Sequence, residues 1–297
     1  MFILNNKKIF LAVSGVLVLA SLLSIVFFGL RLGIDFKGGA ITEIVYTQER
    51  PSLDVLNPSL SNLGLGNISI QPAGDLGYLI KSKDLTDVEH SNLLEALSLG
   101  GSFSLKETNF NSIGPSVGKE LARKAIFAIV LVILVIICFI AFTFRKVSKP
   151  VSSWKYGLIS IIALLHDIII PVGVFALLSH FTLAQVDSLF VVALLTILGL
   201  SLSDTIVIFD RVRENLKNNP NNEFEKNVGL SLSQSITRSL NTCITILIVL
   251  FALFIFGPDS TKYFSLMLIL GMFFGTYSSI FLASPLLVIA NNLQKKQ

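Results

Sequence analysis

Charge is what this sequence has least of. Of its 297 residues only 14% are Asp, Glu, Lys or Arg, against about 25% in a soluble domain, while 53% are hydrophobic. That shortage excludes an ordinary soluble globular protein and leaves an integral membrane protein. Cysteine is nearly absent: Cys138 and Cys243 are the two in the chain, and both lie inside apolar stretches. A structural disulfide is not expected there, and neither cysteine has the spacing of a metal ligand, so no metal or cofactor is expected. No short internal repeat is visible. The formal charge of +4 is small, and the placement of the basic residues says more than their sum.

Long apolar runs are what the chain has in abundance. Stretches 9–30, 125–144, 156–179, 188–209, 240–256 and 263–290 each meet or approach the ~20 residues that cross a bilayer as a helix. The fifth is short, but its helix could begin earlier, near Ser233. None alternates over ~10 residues as barrel strands do. Lys7 and Lys8 precede the first run; Arg145, Lys146, Lys149 and Lys155 follow the second; Arg211, Arg213, Lys217 and Lys226 follow the fourth; Lys295 and Lys296 come last. The segment 180–187 has no Lys or Arg, and only Lys262 lies between the fifth and sixth runs. The positive-inside rule then places both termini in the cytoplasm, and the basic loops need no nucleic-acid partner. The first run is too long for a signal peptide and no A-x-A site follows it, so it reads as an uncleaved anchor.

Between the first two runs the composition becomes that of a soluble domain. Residues 40–47 read as a strand and 52–63 as a helix that Pro58 weakens. Residues 67–71 and 78–82 read as strands joined by a turn. A helix over 86–97 has Thr86 and Glu89 at capping-box spacing, Gly100-Gly101 stops it, and 103–108 is a last strand. The order β-α-β-β-α-β is ferredoxin-like: one antiparallel sheet with helices on one face. The expected organisation is a cytoplasmic N-terminus with the first transmembrane helix over 1–30, an extracytoplasmic α+β domain over 31–122, transmembrane helices two to six over 123–290, and a cytoplasmic tail over 291–297. After the polar turn at 218–222, Phe224, Val228, Leu230 and Leu232 suggest an interfacial helix.

Asp204 is the residue that least fits its surroundings. An ionised Asp at the centre of a spanning helix costs roughly 2.5–3.5 kcal/mol, so such a group faces other helices, a partner or a watery path, and it can bind and release a proton. It lies five residues from Phe209, about 8 Å of helix, and so nearer one end of its span. The plain alternative is that it reaches the interface or only accepts hydrogen bonds. Ser201 and Thr205 stand at helical neighbour spacings and make its surroundings polar. Arg238, Asn241, Thr242 and Thr245 share one helix face, and a polar stripe on an apolar span points inward or at a partner helix. An Asp204–Arg238 pair, or alternation between paired and unpaired states, is one reading; a positive-inside anchor is the other for Arg238. His166 and Asp167 sit near the middle of the third span, with Pro171 freeing the Asp167 carbonyl. They make either a proton site or a structural hydrogen-bond knot, and as adjacent residues about 100° apart they are not expected to face one point. Gly271 and Gly275 have GxxxG spacing, read as close packing.

Pieces spread along nearly the whole chain match one family. They are Gly33-Ile-Asp35-Phe-Lys-Gly38-Gly39; Ser112-Ile-Gly-Pro-Ser-Val-Gly-Lys-Glu-Leu121; Leu165-His-Asp167; the run from Gly199 through Ser-Asp204-Thr to Asn215; and Ser235-Ile-Thr-Arg238-Ser-Leu-Asn-Thr-Cys-Ile-Thr245. In this order the chain resembles the SecF family, the smaller partner of SecD in bacterial protein export. The resemblance implies half of an RND-type bundle whose other six spans come from SecD, association with the SecYEG channel and the SecA ATPase, action on exported unfolded polypeptide, and a place in the bacterial inner membrane among its lipids. It implies no enzyme activity but use of the proton-motive force, with the span-four Asp and span-five Arg, here Asp204 and Arg238, taking part together with an Asp of SecD. The family usually reads Tyr-Ser-x-Asn-Asp-Thr; here Leu200-Ser-Leu-Ser203-Asp-Thr205 drops two hydrogen-bonding groups. Rival readings are an RND-type exporter of small molecules or lipids, which ordinarily has twelve spans in one chain; an aspartyl protease using Asp167 and Asp204, which lacks a Gly-x-Gly-Asp setting; and a structural subunit that only stabilises SecD.

Overall fold

The computed structural model describes residues 2–61, 63–66, 68–144, 153–182 and 184–294. Arg145, Lys146, Lys149, Lys295 and Lys296, which carry part of the topology argument, lie outside the described residues, as does Asn67 at the start of one expected strand. The chain divides into two units, Leu32–Phe127 and a second made of Met1–Arg31 with Ala128–Gln297.

In the first unit a short helix α3 (Ile34–Lys37) follows α1 (Phe2–Asn5) and α2 (Lys7–Phe28) in chain order and leads into β1 (Gly39–Tyr46). Then come α4 (Leu53–Ser61), β2 (Ser69–Ala73), β3 (Gly77–Ser82), α5 (Asp87–Leu97) and β4 (Leu105–Ile113). The sheet is antiparallel throughout with strand order β2-β3-β1-β4, the ferredoxin-like arrangement. Ile44 and Tyr46 of β1 and Tyr78 and Ile80 of β3 point to one face, where Leu56 and Leu60 of α4 and Leu93 and Leu97 of α5 cover them. Alternation along β1 and β3 therefore buries one face of the sheet. Tyr46 donates its hydroxyl to the Leu97 carbonyl at 2.9 Å, and burial, with Tyr78 beside it, pushes that hydroxyl up to about 12. Pro58 sits inside α4 without ending it. The last strand runs to Ile113, five residues past its expected end.

The second unit is helical. α6 (Pro115–Phe144) leads into it, followed by α7 (Ser153–Phe181), α8 (Ser188–Asn218), α9 (Phe224–Phe256), a 3-10 turn, α10 (Lys262–Ser278), a π-helical turn (Ser279–Ala283) and α11 (Ser284–Gln294). Among the described residues six helices are long and apolar enough to cross a membrane, the last formed by α10, the π turn and α11 together. α7, α8 and this last span carry most of the burial, whereas α2, α6 and α9 stay largely uncovered. Two expectations are corrected. No separate interfacial helix follows residue 222: Phe224, Val228 and Leu232 are buried on the first turns of α9, because their apolar spacing packs them against the core that holds Phe209 and Val212 of α8. Arg211, Arg213 and Lys217 stand on α8 itself, so the connection is a tight turn between two long helices. There Asn215 donates to Ser231 and to Gln234, both at 2.8 Å.

Close helix approach is set by missing side chains. A Cβ on Gly271 or Gly275 would run into Ile197 or Ser201 of α8, which gives the GxxxG spacing its packing role. On α7 a Cβ at Gly173 would collide with Ser21 of α2, and Ser24 donates to the Gly173 carbonyl at 2.7 Å.

Candidate functional site

α7, α8 and α10 enclose a polar centre in an otherwise apolar bundle. In its middle is Asp167, wholly buried. Its Oδ2 accepts from Ser278 Oγ of α10 at 2.7 Å and from Ser201 Oγ of α8. Its Oδ1 shares a hydrogen bond of 2.8 Å with Nδ1 of His166. Adjacent residues therefore do converge here, against expectation. Their Cβ atoms leave the helix about 100° apart, but an imidazole and a carboxylate are long enough to bend toward each other. His166 is 3% exposed and stacks on Tyr277, with ring centroids 6.0 Å apart and planes 16° apart. Its Nε2 is buried with no hydrogen-bond partner among the described residues.

Asp204 lies one turn of α8 beyond Ser201 and is half-buried. Oδ2 accepts from Thr276 of α10 at 3.1 Å, and Oδ1 from Ser239 of α9 at 3.4 Å. The pair with Arg238 is not made: among the described residues no ion pair joins them, and the Arg238 side chain is exposed. Residue 239 is the one that α9 turns toward α8; residue 238, about 100° round the helix, turns away and acts on Asp204 only through space. Asn241, Thr242 and Thr245 are exposed with it, which removes the inward alternative for this stripe.

Ser201 and Thr205 do not serve Asp204 either. Being four residues apart they share a face, and that face meets α7 and the last span. Ser201 bonds Asp167, and Thr205 bonds Ser279 Oγ at 2.8 Å. Of the hydroxyls that hold the carboxylates, Ser239, Thr276 and Ser278 were not singled out in the sequence. A signal for part of them existed in the hydroxyl-rich run Thr276-Tyr-Ser-Ser279 and Ser284-Pro285. The same run breaks the last span. Pro285 has no N–H to donate, Ser284 Oγ donates to the Ser279 carbonyl at 3.1 Å, and Ser278 and Ser279 both reach back to the Gly275 carbonyl at 3.0 Å. Such back-bonding bends helices, and π turns are frequent at functional sites.

The motif Gly33-Asp35-Gly38-Gly39 builds a backbone junction in the Leu32–Phe127 unit. Gly38 and Gly39 have φ of +82° and +135°, a region that favours glycine. A Cβ on Gly38 would sit 2.8 Å from Pro115 Cα, and one on Gly118 would sit 2.8 Å from the Gly38 nitrogen. The start of α6 thus lies directly against the turn that opens β1.

Comparison with known proteins gives one answer. Residues 95–293 match the family model "Protein export membrane protein SecD/SecF, C-terminal" and residues 23–49 the "SecD/SecF GG Motif". A protein translocase subunit SecF from Thermobaculum terrenum is 39% identical over 98% of this chain and 94% of its own length. One from Synechocystis is 37% identical over 86% and 81%. The crystal structure of SecDF from Thermus thermophilus, a translocon-associated membrane protein, superposes with a TM-score of 0.81 at 28% identity, covering 97% of this chain. This chain spans 38% of that longer one. A SecDF structure in a super-membrane-facing form gives 0.69 at 28% identity, over 99% of this chain and 39% of that one. Glycine turn, ferredoxin-like domain, six spanning helices and these matches together place the chain in the SecD/SecF family of protein export membrane proteins.

Proposed function

We propose that this chain is the SecF-type half of a SecD–SecF pair that uses the proton-motive force to promote late steps of preprotein translocation. Its setting is the bacterial inner membrane beside the SecYEG channel and SecA, acting on unfolded exported polypeptide, without enzymatic chemistry of its own. The observation that carries the reading is Asp204: a half-buried carboxylate in a spanning helix, held by the hydroxyls of Ser239 and Thr276 instead of by a countercharge. A hydroxyl can donate to the ionised form and accept from the protonated one, so both states are accommodated. Arg238 stands one residue from Ser239 on the uncovered side of α9, where helices from a partner would meet it together with Asn241, Thr242 and Thr245. Lys7, Lys8 and the basic ends of α8 and α9 orient both termini toward the cytoplasm, which puts the 31–122 domain outside, helices two to six over 123–290 in the membrane, and 1–30 and 291–297 at the inner side.

The energetics allow it. One charge crossing 100 mV releases about 2.3 kcal/mol, and protonating Asp204 changes its attraction to Arg238 by an amount that a bundle with two packings can convert into motion. In membranes carrying the pair, Asp204→Asn is expected to abolish the gradient-dependent part of preprotein translocation while leaving the ATP-driven part. Unchanged stimulation by the gradient would overturn the assignment.

A further inference from the structure

We propose that His166 and Asp167 form a second proton-binding site in the membrane interior, coupled to Asp204 through α8 and α10. The inference rests on the proton-coupling reading above. Asp167 is fully buried and His166 nearly so, and among the described residues no Lys or Arg pairs with Asp167. The one basic group on this carboxylate is the imidazole. On neighbouring elements Tyr277 of α10 stacks on His166, and Asp204 stands one turn of α8 beyond Ser201, which bonds Asp167. From α2, Ser14 donates to the Tyr277 hydroxyl at 3.5 Å, and that hydroxyl donates to the Phe10 carbonyl at 3.5 Å.

Proton bookkeeping then shows room for one more. The Nδ1–Oδ1 bond needs one proton, and the hydroxyls of Ser201 and Ser278 occupy Oδ2. A second proton has two places to go. One is His166 Nε2, a buried nitrogen without a partner among the described residues; a purely structural knot satisfies its buried polar atoms, and this one leaves its outer nitrogen unused. The other is Oδ2, because Ser278 has a second acceptor in the Gly275 carbonyl at 3.0 Å and can turn to it when Oδ2 becomes protonated. No helix has to separate in either case.

The consequence falls on the last span. Ser278 ends α10 and the π turn begins at the next residue. A proton on Asp167 therefore changes hydrogen bonding at the α-to-π junction, within the same turn that offers Thr276 to Asp204. α8 repeats the arrangement, with Ser201 on one carboxylate and Asp204 as the other.

The chain has only three histidines, His90, His166 and His180, which makes the site directly observable. In a His90→Gln/His180→Gln variant, labelled with 15N-histidine and 13C-aspartate and reconstituted with its partner, solid-state NMR reads both members of the pair. The expected result is uptake of one proton between about pH 5 and about pH 8, seen as a change in the His166 ring nitrogens or the Asp167 carboxyl carbon. It persists in Asp204→Asn with its midpoint moved, since coupling between two sites is reciprocal. Ser278→Ala moves its midpoint, whereas Ser265→Ala, elsewhere on α10, does not. Signals of His166 and Asp167 that stay constant across this range in the Asp204→Asn protein would overturn the proposal, even where that variant has lost gradient-driven translocation. A titrating pair in a protein whose translocation ignores Asp204→Asn would instead uphold the His166–Asp167 site and overturn the translocation role of Asp204.

Discussion

Thr86 and Glu89 close the first turn of α5 on each other: the Glu89 nitrogen donates to Thr86 Oγ1 at 3.3 Å, and the Thr86 nitrogen donates to Glu89 Oε2 at 2.9 Å. Lys83 adds a bond of 2.6 Å to Glu89. These donors, Lys83 first, hold the Glu89 carboxyl down at about 2, from an ordinary 4.5. A carboxyl depressed in the folded state favours folding fully above its ordinary value and loses that contribution as pH falls toward the folded one. Amide exchange of residues 87–97 is therefore expected to lose protection as pH falls from about 5 toward about 2, a change that Glu89→Gln lacks. Thr86→Ala at neutral pH should cost about 1 kcal/mol, read as roughly fivefold faster opening of α5. This cap was legible in the sequence because its whole geometry fits within four consecutive residues. Asp204 was legible only as a misfit. Its partners Ser239 and Thr276 lie 35 and 72 residues away, and no spacing rule reaches that far.

At the scale of elements, the glycine motif works by letting backbone approach backbone. Gly118 of α6 admits the Gly38 nitrogen where a Cβ would stand 2.8 Å from it. Gly118→Ala should therefore destabilise the protein by about 1–3 kcal/mol, measured as a lower melting temperature of the purified chain. Gly199→Ala on α8, where nothing lies within 4 Å, should leave the melting temperature unchanged or raise it, since alanine is the better helix former. Helices and strands were readable from period and capping, down to the β-α-β-β-α-β order. Helix ends were not. The expected fourth span stopped at Phe209 where apolar residues give way to charge, but α8 continues to Asn218, because Val212 and Asn215 are buried against α9. The π turn escaped for a similar reason: it depends on hydroxyls reaching back to Gly275 and on Pro285 withholding an N–H, and apolar periodicity registers neither.

For the molecule as a whole, the uncovered face of α9 is the main unmet demand. Arg238, Asn241, Thr242 and Thr245 lie exposed on it beside Ile244, Ile248 and Val249, and polar groups in a bilayer are covered by other helices. Asn241→Cys, in a chain with Cys138→Ala, is expected to cross-link efficiently to the partner's spans. Native Cys243 is buried against the Met272 carbonyl of α10 and serves as the internal control that should not react. The converse pattern would place the partner on another face. The sequence alone determined the number of spans, the ferredoxin-like insertion and the two carboxylates, Asp167 and Asp204, that do not belong in lipid, because hydrophobic length, strand alternation and capping are properties of neighbours in the chain. Only the tertiary structure decided which hydroxyl meets which carboxylate. It gave Ser201 to Asp167 instead of Asp204, brought His166 onto Asp167, and turned Arg238 outward. Those choices follow from how α7, α8, α9 and α10 are rotated against one another, and that rotation is fixed by glycine contacts such as Gly271 on Ile197 and Gly275 on Ser201, between residues far apart in the chain.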